Sequence, residues 1–558
     1  MATAKNAGSL AALGDALARR AVHLPPARTR YMRRQGVPVP MRDGIALLTD
    51  HYAPQGTTAR GTVLVRTPYG RGLPMSLLYG RMFAARGYHV LIQSCRGTGG
   101  SPGDFRPVAQ EVDDAQDAAA WLRAQDWFNG RLATLGGSYL GWSQWALMLD
   151  PPPELCAAVV IVGPHDFGRA AYGSGAFLLR DLFGWSASVL AQSQRNPVRA
   201  LAQAAASGRR VNAAVNRLPL TEAADAAGGG RAPWLREWIA HTDLSDPFWA
   251  PYSADKALQR TETPTLLIGG WQDLFLDQTL EQYRVLRERG VQVALTIGPW
   301  THLDSALRAS AVINAEALAW FDTHLSREPG ADGEAAETRA RVRAFITGAD
   351  TWRDLPAWPP PTTERSYRLH TDATLSDLDA GPSGAGTVAF VYDPADPTPA
   401  IGGRTMSAHA GVQDNSALED RPDVTAFTGA PLRGTMEIAG RPVVRLTITT
   451  DHPHNDVFVR LCDVDQRGRS RNVCDAYLRL DPERLTDVPT TATLELDACA
   501  HRFAAGHRLR LLIAGACHPR FARNLGTGEP AESGTRVQPS QYRVHCPDSS
   551  ITLPVVDA

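Results

Sequence analysis

The chain has 558 residues, of which 44% are hydrophobic, with 57 Lys and Arg set against 58 Asp and Glu. That length exceeds what one hydrophobic core serves, so two or three domains are expected. Charge is balanced and no long run of one sign occurs, which leaves a nucleic acid or acidic polymer without electrostatic footing and suits a small or neutral substrate.

The first stretch, "MATAKNAGSLAALGDALARRAVHL", is interrupted by Asp15 and is too polar for a signal segment, so it reads as a surface helix. No apolar run approaches the ~18 residues of a membrane span, and no membrane partner is expected. From about 44 to 163, strand-like runs such as "GTVLVRTPYG", "YHVLIQSCRGTGGS", "GRLATLGGS" and "CAAVVIVGP" alternate with helical ones, the rhythm of a doubly wound parallel sheet. Between 164 and 246 the pattern turns Ala-rich and helical, as in "VRALAQAAASGRRVNAAVNRL", broken by "AAGGGRAP". Strands return in "TPTLLIGGWQD" and "VQVALTIGPWTH", so the helical stretch reads as a cap inserted into one α/β domain that spans 1–163 and 247–350. After the proline-rich joint "WRDLPAWPPP", residues 351–558 become β-rich, with short alternating strands such as "PVVRLTITTD" and "HRLRLLIAGA" that suggest a sandwich or jelly roll. Seven scattered cysteines without a C-x-x-C pair read as reduced core residues of a cytoplasmic protein.

One strand-to-helix transition carries chemistry. In "RLATLGGSYLGWSQWALML", Gly136, Gly137 and Gly141 give room around Ser138, as a nucleophile on a strained elbow requires, although the second glycine of the usual G-x-S-x-G stands one place late. A hydrolase of this type takes its acid and histidine later in the chain, each just past a sheet strand. That order excludes the histidines at 23, 51 and 89; His302 follows the apolar strand "VALTIGPW", whereas His165 and His241 edge the cap and His324 lies in a helix. Asp273 follows "TLLIGGWQ" in the same way, with Asp277 and Asp304 as competitors less well placed. An oxyanion needs preorganised donors. The amide of Tyr139 is one; the second is sought in "VRTPYGRG", where Tyr69 either offers its phenol or packs as a turn residue on Pro68.

These pieces resemble the cocaine-esterase-like (CocE/NonD) hydrolases, related to X-prolyl dipeptidyl aminopeptidases, glutaryl cephalosporin acylases and α-amino acid ester hydrolases. The resemblance spans nearly the whole chain and rests on "RTPYGR" (66–71), "QSCRGTGGSPGDF" (93–105), "DWFNGRLATLGGSYLG" (126–141), "GGWQD" (269–273), "GPWTH" (298–302), "WRDLPAWPP" (352–360), "DPADPTPAIGG" (393–403) and "FTGAPL" (427–432). The family's G-x-S-Y-x-G form accounts for the displaced glycine. It implies an α/β-hydrolase core, a helical cap and a C-terminal jelly roll, with Ser138, Asp273 and His302 as triad and Tyr69 with the Tyr139 amide as oxyanion hole. The α-amino acid ester hydrolases look to use acidic side chains near the triad aspartate to hold an ammonium; here Leu274 and Phe275 follow Asp273, and only cap carboxylates such as Asp166 or Asp181 remain for that task.

Aromatic residues Trp142, Phe167, Trp185 and Phe275 are candidates for an apolar acyl or aryl pocket, with Trp234 and Trp238 beside them. "CRGTGGSPG" lacks the ending of a P-loop, "DVDQRG" (463–468) fails as a calcium loop because Arg467 takes a ligand position, and "HPHND" (452–456) has too few ligands. No cofactor and no metal are expected. The expectation is a serine hydrolase acting on a small-molecule ester or amide through an acyl-enzyme, with acyl transfer or X-prolyl dipeptidyl-peptidase-like cleavage as variants on the same residues. A binding protein with a relic core is the contrasting class, disfavoured by retention of each catalytic position. Assembly into a homo-oligomer is compatible with the sequence.

Overall fold

The computed structural model describes residues 26–192, 197–306, 308–325, 342–378, 386–483 and 488–557; the helix expected over the first 24 residues lies outside them. A ten-stranded sheet forms the first layer: β1 (Arg30–Pro40), β2 (Ala46–Gln55), β3 (Thr62–Thr67), β4 (His89–Ser94), β5 (Leu132–Gly137), β6 (Leu155–Ile161), β7 (Thr265–Gln272), β8 (Val293–Thr301), β9 (Val342–Ile346) and β10 (Thr351–Leu355). They lie in the order β1-β2-β4-β3-β5-β6-β7-β8-β9-β10. Pairing is parallel from β4 through β9 and antiparallel at both ends.

Strands β3, β4 and β7 are buried at each position, as continuous Val/Leu/Ile runs require when helices cover both faces. The helix Tyr139–Met148 packs on β3, β5 and β6, and the helix Leu276–Glu288 on β7 and β8. Because β4 and β5 lie on opposite sides of β3, the chain reverses its direction of travel there, and a crevice opens at the carboxyl ends of β3 and β5.

Between β6 and β7 the chain leaves the sheet for helices that include Phe167–Tyr172, Leu179–Gln192, Pro197–Ala214, Leu220–Gly228 and Pro233–Ala240, in that order, and it returns through Asp255–Arg260. Gly229, in "AAGGGRAP", ends the fourth with φ +59°, the left-handed turn that favours glycine. The second helix is fastened to the far end of the chain: the amides of Leu179 and Arg180 donate to the carbonyls of Arg520 and Pro519 at 2.9 and 3.0 Å.

The proline-rich joint sits differently from its sequence reading. Thr351–Leu355 pairs with β9 as an edge strand, so the first sheet continues through 355, and the β-rich region begins at Thr362. From there thirteen strands form a second hydrogen-bonded system with its own core, including Leu369, Phe427, Ile438, Val444, Leu461, Leu511 and Val544. The fold is thus an α/β-hydrolase core with an inserted helical cap and a C-terminal β jelly-roll region. All seven cysteines are free thiols, six of them buried. Among the described residues no helix is long and apolar enough to cross a membrane.

Candidate active site

Ser138 is the first residue past β5 and has φ +60° and ψ −124°, a conformation that costs an L-residue about 1–3 kcal/mol. Its surroundings hold it there. Its amide donates to the Ile161 carbonyl at 2.9 Å, and its own carbonyl accepts from Gly141 N at 2.8 Å. A side chain at Gly136 would overlap Leu140, and one at Gly141 would stand 2.6 Å from the Gly163 Cα. The displaced glycine therefore lets the first turn of the helix touch the segment after β6, backbone to backbone.

Asp273 and His302 stand at the equivalent places past β7 and β8. His302 Nδ1 lies 2.6 Å from Asp273 Oδ1, and Nε2 lies 2.9 Å from Ser138 Oγ. A carboxylate only accepts, so the ring proton sits on Nδ1 and Nε2 is left to accept from the serine hydroxyl. Asp273 is fully enclosed, and its second oxygen accepts from the Phe275 amide at 2.9 Å, which fixes the carboxylate plane. Of the competitors, Asp277 is engaged with Arg404 and Arg441, and Asp304 with Thr301.

Tyr69 follows β3, its amide tied to Thr67 Oγ1 at 3.0 Å. Trp185 Nε1 donates to the Tyr69 oxygen at 3.0 Å, so the phenol's own proton is free to be given elsewhere. Burial pushes the Tyr69 phenol upward, keeping it protonated, while the hydrogen bond from Trp185 and the one shared with Ser138 Oγ oppose that. The Tyr139 amide opens a helix and has no intrahelical carbonyl behind it. The Tyr139 ring points away into the core, where its hydroxyl donates to Glu111 at 2.8 Å and accepts from Val108 N at 2.9 Å. Arg66 of "RTPYGR" closes this buried network with a 3.0 Å ion pair to Glu111.

These groups open on a cavity of about 1400 Å³ whose apolar wall includes Leu73, Met75, Leu78, Trp185, Ile313 and Met406. Of the four aromatic residues proposed for the pocket, only Trp185 lines it. Trp142 is 1% exposed and donates its indole to Val108 O at 3.3 Å behind the elbow; Phe167 packs on Trp238 with ring centres 4.6 Å apart; Phe275 meets the His302 ring edge-on at 5.3 Å without reaching the cavity wall. Asp166 caps the helix Phe167–Tyr172 and is also elsewhere. Asp181 does line the cavity. One carboxylate oxygen accepts from Thr405 Oγ1 and Met406 N at 2.7 and 2.8 Å, while the other is buried without a partner. Burial raises its pKa, and the hydrogen bonds from Thr405 and Met406 N, with the charge of Arg520, pull the other way.

Sequence reasoning missed Tyr79, a cavity residue whose phenol burial pushes up to about 12, and the contribution of Thr405 and Met406 from the C-terminal region. Neither sits in a motif that would mark it.

The chain matches the model of the X-Pro dipeptidyl-peptidase (S15 family) over residues 43–304 and that of the X-Pro dipeptidyl-peptidase C-terminal non-catalytic domain over 334–549. It is 30% identical to the cocaine esterase of Rhodococcus sp. over 543 residues, covering 89% of this chain and 93% of that one. The chain belongs to the cocaine-esterase-like serine hydrolases. An aminopeptidase from a marine sediment Thaumarchaeota archaeon shares the family fold with a TM-score of 0.79 at 22% identity, covering 94% of this chain and 97% of its own. An α-amino acid ester hydrolase does so at 0.77 and 24%, with the same coverage of 94% and 97%. As a member of this family the protein is a serine hydrolase.

Proposed function

We propose that the protein is an esterase or acylase that works through an acyl-enzyme on Ser138. The observation that carries this is the unbroken chain Ser138 Oγ, His302, Asp273 at 2.9 and 2.6 Å, ending on a serine held in a strained elbow. Ser138 Oγ attacks the substrate carbonyl as His302 Nε2 takes its proton; Asp273 stabilises the imidazolium. The carbonyl oxygen becomes an oxyanion between the Tyr69 hydroxyl and the Tyr139 amide. His302 then gives its proton to the leaving group, and water repeats the sequence in reverse to free the acid. The acyl or aryl group lies along Trp185 and the aliphatic wall. The name of the 30% identical relative supports a benzoate ester of an alcohol as the first substrate to try.

A second reading concerns what else the substrate carries. Asp181 leaves one buried oxygen without a partner on the cavity wall, which favours a substrate bearing an ammonium group near its ester or amide. Intact-protein mass after fluorophosphonate treatment tests the first reading: one adduct on the wild type and none on Ser138→Ala. Lack of an adduct on the folded wild type would refute it. A panel of aryl, alkyl and α-amino esters then separates the two, because Asp181→Asn lowers kcat/KM for the amine-bearing esters alone.

A further inference from the structure

A second, smaller cavity of about 170 Å³ lies between the cap and the C-terminal region and shares no lining residue with the active-site cavity. Leu179 and Arg217 contribute from the cap, and His518, Arg523 and Glu529 from the other side. Its charges do not balance. Arg523 is half-buried; its Nη2 donates to the Asn216 carbonyl at 2.9 Å, and it has no carboxylate partner among the described residues. Arg217, which also lines the cavity, has none among the described residues either.

The nearby acids are committed elsewhere. Glu529 accepts from the amides of Thr535 and Arg536 at 2.9 and 3.1 Å and from the Arg536 side chain. Asp456, which pairs with the lining residue Arg479 at 2.9 Å, also accepts from Tyr477 and Asn524. His518 Nε2 is 2.8 Å from Asn216 Oδ1. Elsewhere in the described chain, each arginine of perturbed basicity is pushed up by acidic partners; Arg523 alone is pushed down, by burial.

A partly desolvated cation with no counter-charge is unfavourable, and a guanidinium fork matches two oxygens of a carboxylate or phosphate. We propose that this cavity binds a small oxyanion, a carboxylate or a phosphate, between Arg523 and Arg217. The volume accommodates such an ion with a few waters, each of which occupies about 30 Å³ in the liquid. The bound ion bridges the cap to the C-terminal region where the helix Leu179–Gln192 begins, and that helix carries Asp181 and Trp185 to the catalytic cavity.

The test is calorimetric unfolding of the full chain at fixed pH and ionic strength, titrated with sodium phosphate, sodium acetate or sodium chloride. A saturable rise in thermal midpoint with phosphate or acetate over chloride is expected, and the stronger of the two identifies the source of the oxyanion. Arg217→Gln, at an exposed position, weakens the response at least ten-fold. Arg523→Met abolishes it, yet without added oxyanion unfolds no earlier than wild type, because an uncompensated charge has been removed; a purely structural arginine would give an earlier transition. If Arg523→Met fails to fold, the Arg217→Gln titration decides. No saturable rise, or a rise unchanged in Arg217→Gln, overturns the proposal, since general salting effects are neither saturable nor site-dependent.

Discussion

Tyr69→Phe removes one hydroxyl and leaves the ring, and under the proposed mechanism that oxygen has two tasks. The first is donation to the oxyanion, for which loss of one preorganised donor costs about 3–4 kcal/mol, or a ~100- to 1000-fold fall in kcat. The second is acceptance from Trp185 Nε1 at 3.0 Å. Trp185 is 9% exposed, so its indole N–H is left without an acceptor, a loss of about 1–3 kcal/mol of stability, toward the lower figure because cavity water reaches the site. The two losses separate in a double mutant. Adding Trp185→Phe removes the stranded donor and restores stability by about 1 kcal/mol relative to additive behaviour, but it returns none of the activity. The assay is steady-state hydrolysis of an aryl ester with kcat and KM resolved, alongside urea unfolding of the two single variants and the double. A Tyr69→Phe enzyme with kcat within three-fold of wild type would refute the oxyanion role. Strict additivity in the unfolding cycle would refute the indole bond.

Asp273→Asn keeps the shape of the carboxylate but presents the wrong partner to His302 Nδ1, and kcat for the same ester falls about 10⁴-fold; a fall under ten-fold would place the orienting acid elsewhere. Gly141→Ala drives a methyl to within 2.6 Å of the Gly163 Cα, where backbone cannot yield, so stability drops by about 1–3 kcal/mol and kcat falls as the Tyr139 amide moves with its helix. Gly208→Ala, in the cap helix Pro197–Ala214 with nothing within 4 Å of the new methyl, is the matched control and gains about 0.5–1 kcal/mol. His51 and His89 are buried against each other with ring nitrogens 2.9 Å apart, His51 stacked on Trp127 and His89 tilted against it. Burial, joined by repulsion from His89, lowers His51 to about 3, and burial lowers His89 to about 4. The unfolded chain therefore binds protons first: stability is full above pH 6.5 and drains as pH falls toward 4, by on the order of 3 kcal/mol for His89 alone. Thermal midpoints measured from pH 7.5 to 4.5 should fall less steeply in His89→Gln; an unchanged slope would show that other groups govern acid lability.

The residues of the proposed triad could be picked out because each stands directly after a glycine-bearing apolar strand, in an order that the sheet imposes. Ser138, Asp273 and His302 need only that placement to meet. The pocket was less legible, since an aromatic letter does not say which way its ring turns. The helix Tyr139–Met148 is buried at all ten positions, so no amphipathic stripe distinguishes Trp142, on the core side, from a residue facing the cavity. Asp181 acquires its place from Thr405 and Met406, more than 200 residues onward, a contact that local pattern cannot encode. Strand β1 was missed because "RYMRRQGVPVP" carries a bulge between Arg34 and Val37 that breaks alternation. Strand β10 was hidden by the prolines that follow it, which mark a joint without showing which sheet ends there.

The anchoring of Asp181 and of the helix Leu179–Gln192 to segments around 405 and 520 divides the authorship of the active site. The proposed reaction machinery is written in the first 302 residues, while part of the cavity wall is written in the jelly roll. Selectivity can then drift through changes in those distant loops while the chemistry stays untouched. A chain cut before Thr362 would keep Ser138, His302 and Asp273 and lose the stretch of wall that Met406 supplies and the bonds that hold Asp181 in place.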